Sequence, residues 1–300
     1  MLDIKFIREN QDLVKKSIKD RGLQLDLAGL IEVDQSRRDI LVALEELRRQ
    51  KNVANDEITH FLKEKKDTKR KIETMKSTSK KIDELEGRLK DSQEKLNQLL
   101  LVVPNIPHTS VPVGDVSANQ TVRSWGKLRK FDFPVLTHVE IAEASDMIDF
   151  SRAAKITGSN FVLYKGWGAR LERALINFML DLHTRKHGYT EVFPPFLVNR
   201  RSMTGTGQLP NLEEDMYRLK DDDYFLIPTA EVPLTNIFAN EILEEEKLPI
   251  YYTGYTACFR REAGSHGKET KGLIRVHQFD KVELVKFVKP ETSYDELEGL

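Results

Sequence analysis

Residues 251–288 read YYTGYTACFRREAGSHGKETKGLIRVHQFDKVELVKFV. The part ending TACFRRE and the part beginning IRVHQFDKVELV each read as a strand, with a glycine-bearing loop, residues 263–273, between them. Successive strand side chains point to opposite faces, so Arg260 and Glu262 are predicted on one side of the first strand, and Phe279, Lys281 and Glu283 on one side of the second. A hairpin brings both sets onto one surface. The same alternation also describes the solvated face of a half-buried antiparallel sheet, and spacing alone does not choose. The loop holds Gly264, Gly267 and Gly272 with Lys268 and Lys271. Backbone freedom and positive charge suit a polyphosphate or a nucleic-acid end, and equally a surface turn.

Upstream, IPTAEVPLTN (residues 227–236) puts Thr229 and Glu231 two apart between Pro228 and Pro233. If extended, they share a face on which a hydroxyl and a carboxylate receive a small ammonium-bearing ligand; a structural turn is the other reading. Earlier still, residues 169–186 carry Leu171, Leu175, Phe178, Met179 and Leu182 on one helical face and stop at Gly188. That stripe reads as core or interface, followed by a strand running to Pro194 and Pro195.

The N-terminal third has a different character. Residues 33–100 are dense in charge, lack proline and contain only Gly87, which predicts two long helices forming an exposed rod. Ile40, Leu44, Leu47, Ala54, Ile58 and Phe61 recur at steps of three, four or seven, and Met75, Ile82, Leu89 and Leu96 at seven, one apolar seam in each helix. The polar, basic run KEKKDTKRK (63–71) is where an antiparallel hairpin turns. Residues 6–30 read as a short helix and connector packed at its base. After Leu101 the stretch VVPNIPHTSVPVGDVSANQ cannot continue a helix and reads as extended linker. The predicted organisation is a helical arm over 1–103, a linker over 104–120, and an α+β domain over 121–300.

Composition bounds the function. With 47 Lys+Arg against 48 Asp+Glu over 300 residues, the net charge of −1 gives no whole-chain sign of a nucleic-acid partner, so any basic patch is local. The N-terminus has no secretory pattern, and no apolar run approaches the roughly 18 residues of a membrane span. A cytoplasmic protein with no membrane and no DNA partner is expected. Cys258 stands alone, so an internal disulfide is excluded and a structural zinc is not held by cysteine; it reads as a small strand residue. The seven histidines show no HExxH or other ligand spacing, and no metal ligand is assigned.

Taken together these segments resemble the seryl-tRNA synthetase family of bacterial type, within class II of the aminoacyl-tRNA synthetases. GYTEVFPPFLV (188–198) resembles the first class II motif, with its proline at Pro195; FRRE (259–262) resembles the second; TAE (229–231) resembles the serine-binding loop; GLIRVHQFDKVELV (272–285) is typical of the seryl members. The resemblance implies an N-terminal antiparallel coiled coil and a catalytic domain on an antiparallel sheet, working as a homodimer through the first motif. It implies attack of the serine carboxylate on the α-phosphate of ATP, then transfer of serine to the terminal adenosine of tRNA(Ser), with tRNA(Sec) as a further substrate.

By the same resemblance Arg260 binds the α-phosphate and the serine carboxylate, and Glu262 meets the adenine side of ATP. Phe279 stacks on the adenine, and Arg261, Arg275 and Val276 complete the ATP set. Thr229, Ala230, Glu231 and Glu283 form the serine pocket. Lys63, Lys65, Lys66, Lys69, Arg70 and Lys71 contact tRNA by shape and phosphate rather than by base edges. Mg2+ accompanies ATP, its protein ligand lying further along the family's chain. The family also continues to a third motif, a glycine-rich strand and a helix with an ATP-binding arginine, and nothing before Leu300 matches it. The expectation is a chain ending before that motif, its activity alone resting on what is missing. The alternative is a shortened synthetase-like protein that binds tRNA without activating serine; the intact Thr229, Glu231, Arg260, Glu262 and Glu283 favour the enzyme.

Overall fold

A computed structural model describes residues 1–262 and 272–300, and the chain divides into two compact units, Met1–Gly126 and Lys127–Leu300. In the first, α1 (Ile4–Glu9) is capped by the Asp3 carboxylate, which accepts from the N–H groups of Lys5 and Phe6, and α2 (Gln11–Asp20) follows directly. Two long helices come next, α3 (Leu27–Lys63) and α4 (Lys69–Leu101). The first begins at Leu27 rather than near Val33, because the Asp26 side chain accepts from the Gly29 N–H and starts the helix there. The predicted short helix and connector is therefore two helices plus the first turn of α3.

The long helices run antiparallel. Their cross-links pair rising with falling numbers: Arg37 Nη1 to Gln93 Oε1 at 3.4 Å, Arg48 Nη2 to Glu86 Oε1 at 2.7 Å, and Lys71 with Glu57 near the turn. Ile40, Leu44, Ile58, Ile82 and Leu96 of the predicted seam are buried, and Leu47, Ala54, Phe61, Met75 and Leu89 half-buried. At 1.5 Å per residue each helix spans roughly 50–55 Å. The base is a compact core of Ile7, Val14, Ile18, Leu27, Leu30, Leu96, Leu100 and Val103. Asp34, fully buried, ties α1 to α3 through Arg8 at 2.6 Å and Arg37 at 2.9 Å. Beyond α4 the proline-bearing stretch is irregular apart from a short 3-10 turn, Val116–Ala118.

The second unit opens with α5 (His138–Ala144), begun by a reciprocal Thr137–Glu140 capping box, then α6 (Phe150–Thr157) and α7 (Trp167–Lys186). There follow β1 (Thr190–Glu191), β2 (Leu197–Asn199), α8 (Arg200–Gly205), β3 (Tyr224–Leu226), α9 (Glu231–Thr235), β4 (Ile250–Phe259), β5 (Gln278–Phe287) and α10 (Ser293–Gly299). The main sheet has the order β1-β4-β5. Only β4 and β5 pair antiparallel; β1 lies parallel to β4, so the predicted antiparallel sheet is mixed. β1 is only two residues long, since Pro194 and Pro195 bring no N–H to a ladder. A small β2-β3 pair lies over a core that includes Met203, Leu209, Met216, Phe225, Ile227 and Val232.

The hairpin is shorter than its sequence predicts. β4 ends at Phe259, leaving Arg260 and Glu262 beyond it, and β5 starts at Gln278 rather than at Ile274. The Arg260 N–H still reaches the His277 carbonyl at 2.9 Å, but the Arg261 N–H is taken by the Asp215 carbonyl at 2.9 Å, which draws the chain off the ladder. Glu262 then adopts φ +49°, a left-handed conformation incompatible with a strand.

Candidate active site

Register decides what faces the cleft. Phe279, Lys281 and Glu283 of β5 stand opposite Cys258, Thr256 and Gly254 of β4, and all six share one face. Onto it the segment between β3 and α9 lays Thr229, which is only 6% exposed. The Thr229 hydroxyl donates to Glu283 Oε2 at 2.6 Å and accepts from Lys281 Nζ at 3.0 Å and from the Glu231 N–H at 3.2 Å. Lys281 Nζ also lies 3.5 Å from Glu283 Oε2. The extended geometry predicted for Thr229 and Glu231 is thus replaced by a helix start: Glu231 is the first residue of α9, and Thr229 holds its N–H. The two side chains nonetheless reach the same cleft, one buried at its floor and one exposed at its rim.

That cleft encloses about 470 Å³. Of the residues predicted from the sequence, Thr229, Glu231, Arg260, Glu262 and Arg275 line it. Arg260 is aimed by two contacts, Nε donating to the Pro228 carbonyl at 3.2 Å and the guanidinium lying 5.0 Å from the centre of the Phe279 ring. Arg275 Nη1 pairs with Glu262 Oε2 at 2.9 Å. Phe279 and Glu283 sit one layer behind, reaching the cleft through Arg260 and through Thr229 and Lys281.

Other predicted residues are elsewhere. Arg261 is exposed and anchored by its backbone, while Val276 and Ala230 are buried, and none of the three lines the cleft. Gly264, Gly267, Lys268 and Lys271 lie outside the described residues. Cys258 is wholly buried in β4, and burial pushes its thiol up, away from nucleophilic chemistry.

Besides Pro228, read from the sequence only as a bound on the Thr229 segment, five lining residues were not assigned from the sequence: Gln208, Leu212, Asp215, Met216 and Lys281. Lys281 was legible by strand alternation with Phe279 and Glu283. The other four come from the irregular stretch between α8 and β3, which has no period to read. Among the described residues, no group of three His, Cys, Asp or Glu is arranged to hold a metal ion.

At the arm tip Lys63 ends α3, Lys65 and Lys66 lie in the turn, and Lys69, Arg70 and Lys71 form the first turn of α4. All but Lys71 are exposed. Lys71 is held by Glu57 and by the Phe61 ring, 4.6 Å from its centre, and Lys66 pairs with Glu64 at 2.6 Å.

Known proteins resemble this chain in both of its parts. A family model described as the tRNA synthetase class II core domain (G, H, P, S and T) matches residues 215–300, which places the cleft-bearing unit in class II of the aminoacyl-tRNA synthetases. The seryl-tRNA synthetase N-terminal domain matches residues 1–107. The serine–tRNA ligase of Carboxydothermus hydrogenoformans is 54% identical over all of this chain and 71% of its own length, and that of Caldanaerobacter subterraneus subsp. tengcongensis is 56% identical with the same coverage. The crystal structure of seryl-tRNA synthetase from Pyrococcus horikoshii complexed with ATP superposes with a TM-score of 0.89 at 35% identity, covering 100% of this chain and 72% of that one. The chain belongs to the seryl-tRNA synthetase family.

Proposed function

We propose that the cleft binds serine and ATP side by side, the chain acting as a serine–tRNA ligase, with Glu283, Thr229 and Glu231 receiving serine and Arg260 bridging its carboxylate to the α-phosphate. One observation carries this reading: Thr229 and Lys281 line the cleft together with Arg260 and are hydrogen-bonded to each other, and Thr229 ties them to Glu283 one layer behind. An ammonium and a hydroxyl find carboxylates here, and an anion finds a guanidinium whose fork matches carboxylate and phosphate oxygens.

The first step needs no enzyme nucleophile. The serine carboxylate attacks the α-phosphorus, a new P–O bond forms, and pyrophosphate leaves with the electron pair of the broken bond. The chain's part is to hold the carboxylate in line and to neutralise charge building on the phosphate oxygens. Arg260, steadied by Pro228 and Phe279, serves both ends. Glu262 and Arg275, paired at the rim, serve the adenine side and the distal phosphates, and Phe279 acts from behind, through the Arg260 guanidinium that covers its ring. Alanine leaves buried polar groups unpaired where serine satisfies them, so it is rejected more strongly than threonine, which is excluded only by crowding. Mg2+ enters with ATP as an ion that keeps phosphate and water ligands.

The second substrate is tRNA(Ser), with tRNA(Sec) recognised by the same arm. Lys63, Lys65, Lys66, Lys69 and Arg70 are exposed at its tip, and the three basic residues opening α4 stand where the helix dipole disfavours cations. Such placement is better explained by a polyanionic partner than by stability. We assign a homodimer to the apolar face of α7, where Trp167 is 70% and Phe178 63% exposed beside Leu171 and Leu175. No helix among the described residues is long and apolar enough to cross a membrane, and we assign the protein to the cytoplasm.

Serine-dependent ATP–pyrophosphate exchange, together with binding of a non-reactive seryl-adenylate analogue, tests this. The expected result is exchange with serine only, and a loss of at least about 100-fold in Arg260→Ala. Exchange driven by a different amino acid, or analogue binding unchanged in Arg260→Ala, refutes it.

A further inference from the structure

The last turn of α7 reads HTRKH, residues 183–187. Residues four apart on a helix are surface neighbours, and here the Nδ1 atoms of His183 and His187 lie 3.0 Å apart, the rings 5.0 Å between centres and inclined by 62°. H-x3-H lacks the catalytic glutamate of a zinc protease and keeps its two ligating positions.

The two Nδ1 atoms, 3.0 Å apart and hydrogen-bonded to each other, are close enough to reach a common ion at the usual metal–imidazole distance of about 2.05 Å. Imidazole pairs bind Cu2+ and Ni2+ more tightly than the earlier first-row divalent ions. His183 is half-buried and held in place, its ring edge-on to Tyr189 at 5.7 Å and its carbonyl accepting from the N–H groups of His187 at 3.3 Å and Tyr189 at 3.1 Å. Tyr189 is in turn packed on Tyr251 at 5.3 Å. His187 is exposed, so water completes the coordination sphere. At about 100° per residue the pair lies roughly 120–170° around α7 from the stripe of Trp167, Leu171, Leu175 and Phe178, so a dimer through that stripe leaves it open.

We propose that His183 and His187 form a two-histidine site for a divalent copper or nickel ion at the C-terminal end of α7. In the metal-free pair one Nδ1–H donates to the other Nδ1; on binding, that hydrogen moves to Nε2 of the same ring, and both Nδ1 lone pairs pass to the ion with no net proton release. The chelate closes the last helical turn and stabilises the folded state.

The test titrates the full chain with Ni2+ and, separately, Cu2+, following visible absorption and thermal melting, in the parent, His187→Ala, His183→Ala and the control His60→Ala. Expected are one saturable ion per chain and a metal-dependent rise in melting temperature. Affinity should fall at least about tenfold in either single variant and stay at the parent level in His60→Ala. Should His183→Ala fail to fold, the exposed His187→Ala decides, its metal-free melting serving as the check on folding. Absence of saturable binding in the parent, or equal affinity in folded His187→Ala, overturns the site.

Discussion

Glu172 of α7 and Asp280 of β5 interact on the side of the sheet away from the cleft, since Asp280 alternates with Phe279 and Lys281. Burial first, then the charge and hydrogen bond of Asp280, raise the Glu172 carboxyl above its ordinary value. The Tyr255 hydroxyl donates to Asp280 at 2.8 Å, and burial pushes Tyr255, like Tyr164, up to about 12. An acid whose folded pKa is raised costs stability once ionised: nothing below the unfolded value of about 4.3, and the full amount above the folded value. Glu172→Gln is therefore expected to raise the melting temperature at pH 8 and leave it unchanged at pH 4; an equal shift at both would contradict this. Gly254 supplies a second case. A Cβ there meets the Val192 carbonyl oxygen at 2.8 Å, and Val192 is fixed by its N–H bond to Thr253 O at 2.8 Å. Gly254→Ala should cost about 1–3 kcal/mol in denaturant unfolding. Neither requirement was legible: glycine and glutamate look ordinary in the sequence, and only their neighbours across the sheet give them consequence.

Among the elements, the arm was the most readable and the hairpin the least complete. Ile40, Leu44 and Leu96 declare a helix seam because their partners lie on a facing helix with the same period. Asp34, in that same helix, gives no such warning, yet it is buried between Arg8 and Arg37. Burial by itself would raise its carboxyl, but the hydrogen bonds and charges of the two arginines outweigh that and hold it below the ordinary value. The stability it brings is fully present above the unfolded aspartate pKa of about 3.9 and lost as pH falls through the lowered folded value. Asp34→Ala, which leaves Arg8 and Arg37 without their buried partner, should cost about 3 kcal/mol at pH 7, read from urea unfolding of the arm. At the tip, replacing Lys63, Lys65, Lys66, Lys69 and Arg70 together by glutamine should weaken tRNA binding. The slope of log K against log salt should fall by about 0.7–0.9 for each phosphate that the arm no longer neutralises. Serine activation should stay intact; a parallel fall in activation and binding would remove the assignment.

For the whole molecule, the relevant fact is that α7 has one face on the sheet and another, with Trp167 and Phe178, open to solvent. If that face pairs two chains, Phe178→Glu should convert a dimer to a monomer in light scattering at micromolar concentration while each unit stays folded; a dimer that persists would move the interface elsewhere. The sequence by itself determined the antiparallel helical hairpin and the run of strand residues carrying Phe279, Lys281 and Glu283, because helical and strand periods are local properties written into neighbouring side chains. Tertiary structure alone decided that β4 stops at Phe259, that Thr229 meets Glu283 across 54 residues at 2.6 Å, and that the aperiodic stretch with Gln208 and Asp215 walls the cleft. Those outcomes depend on which backbone groups an irregular segment captures, as Asp215 captures the N–H of Arg261. Such captures are set by packing between distant segments, which leaves no repeating mark along the chain.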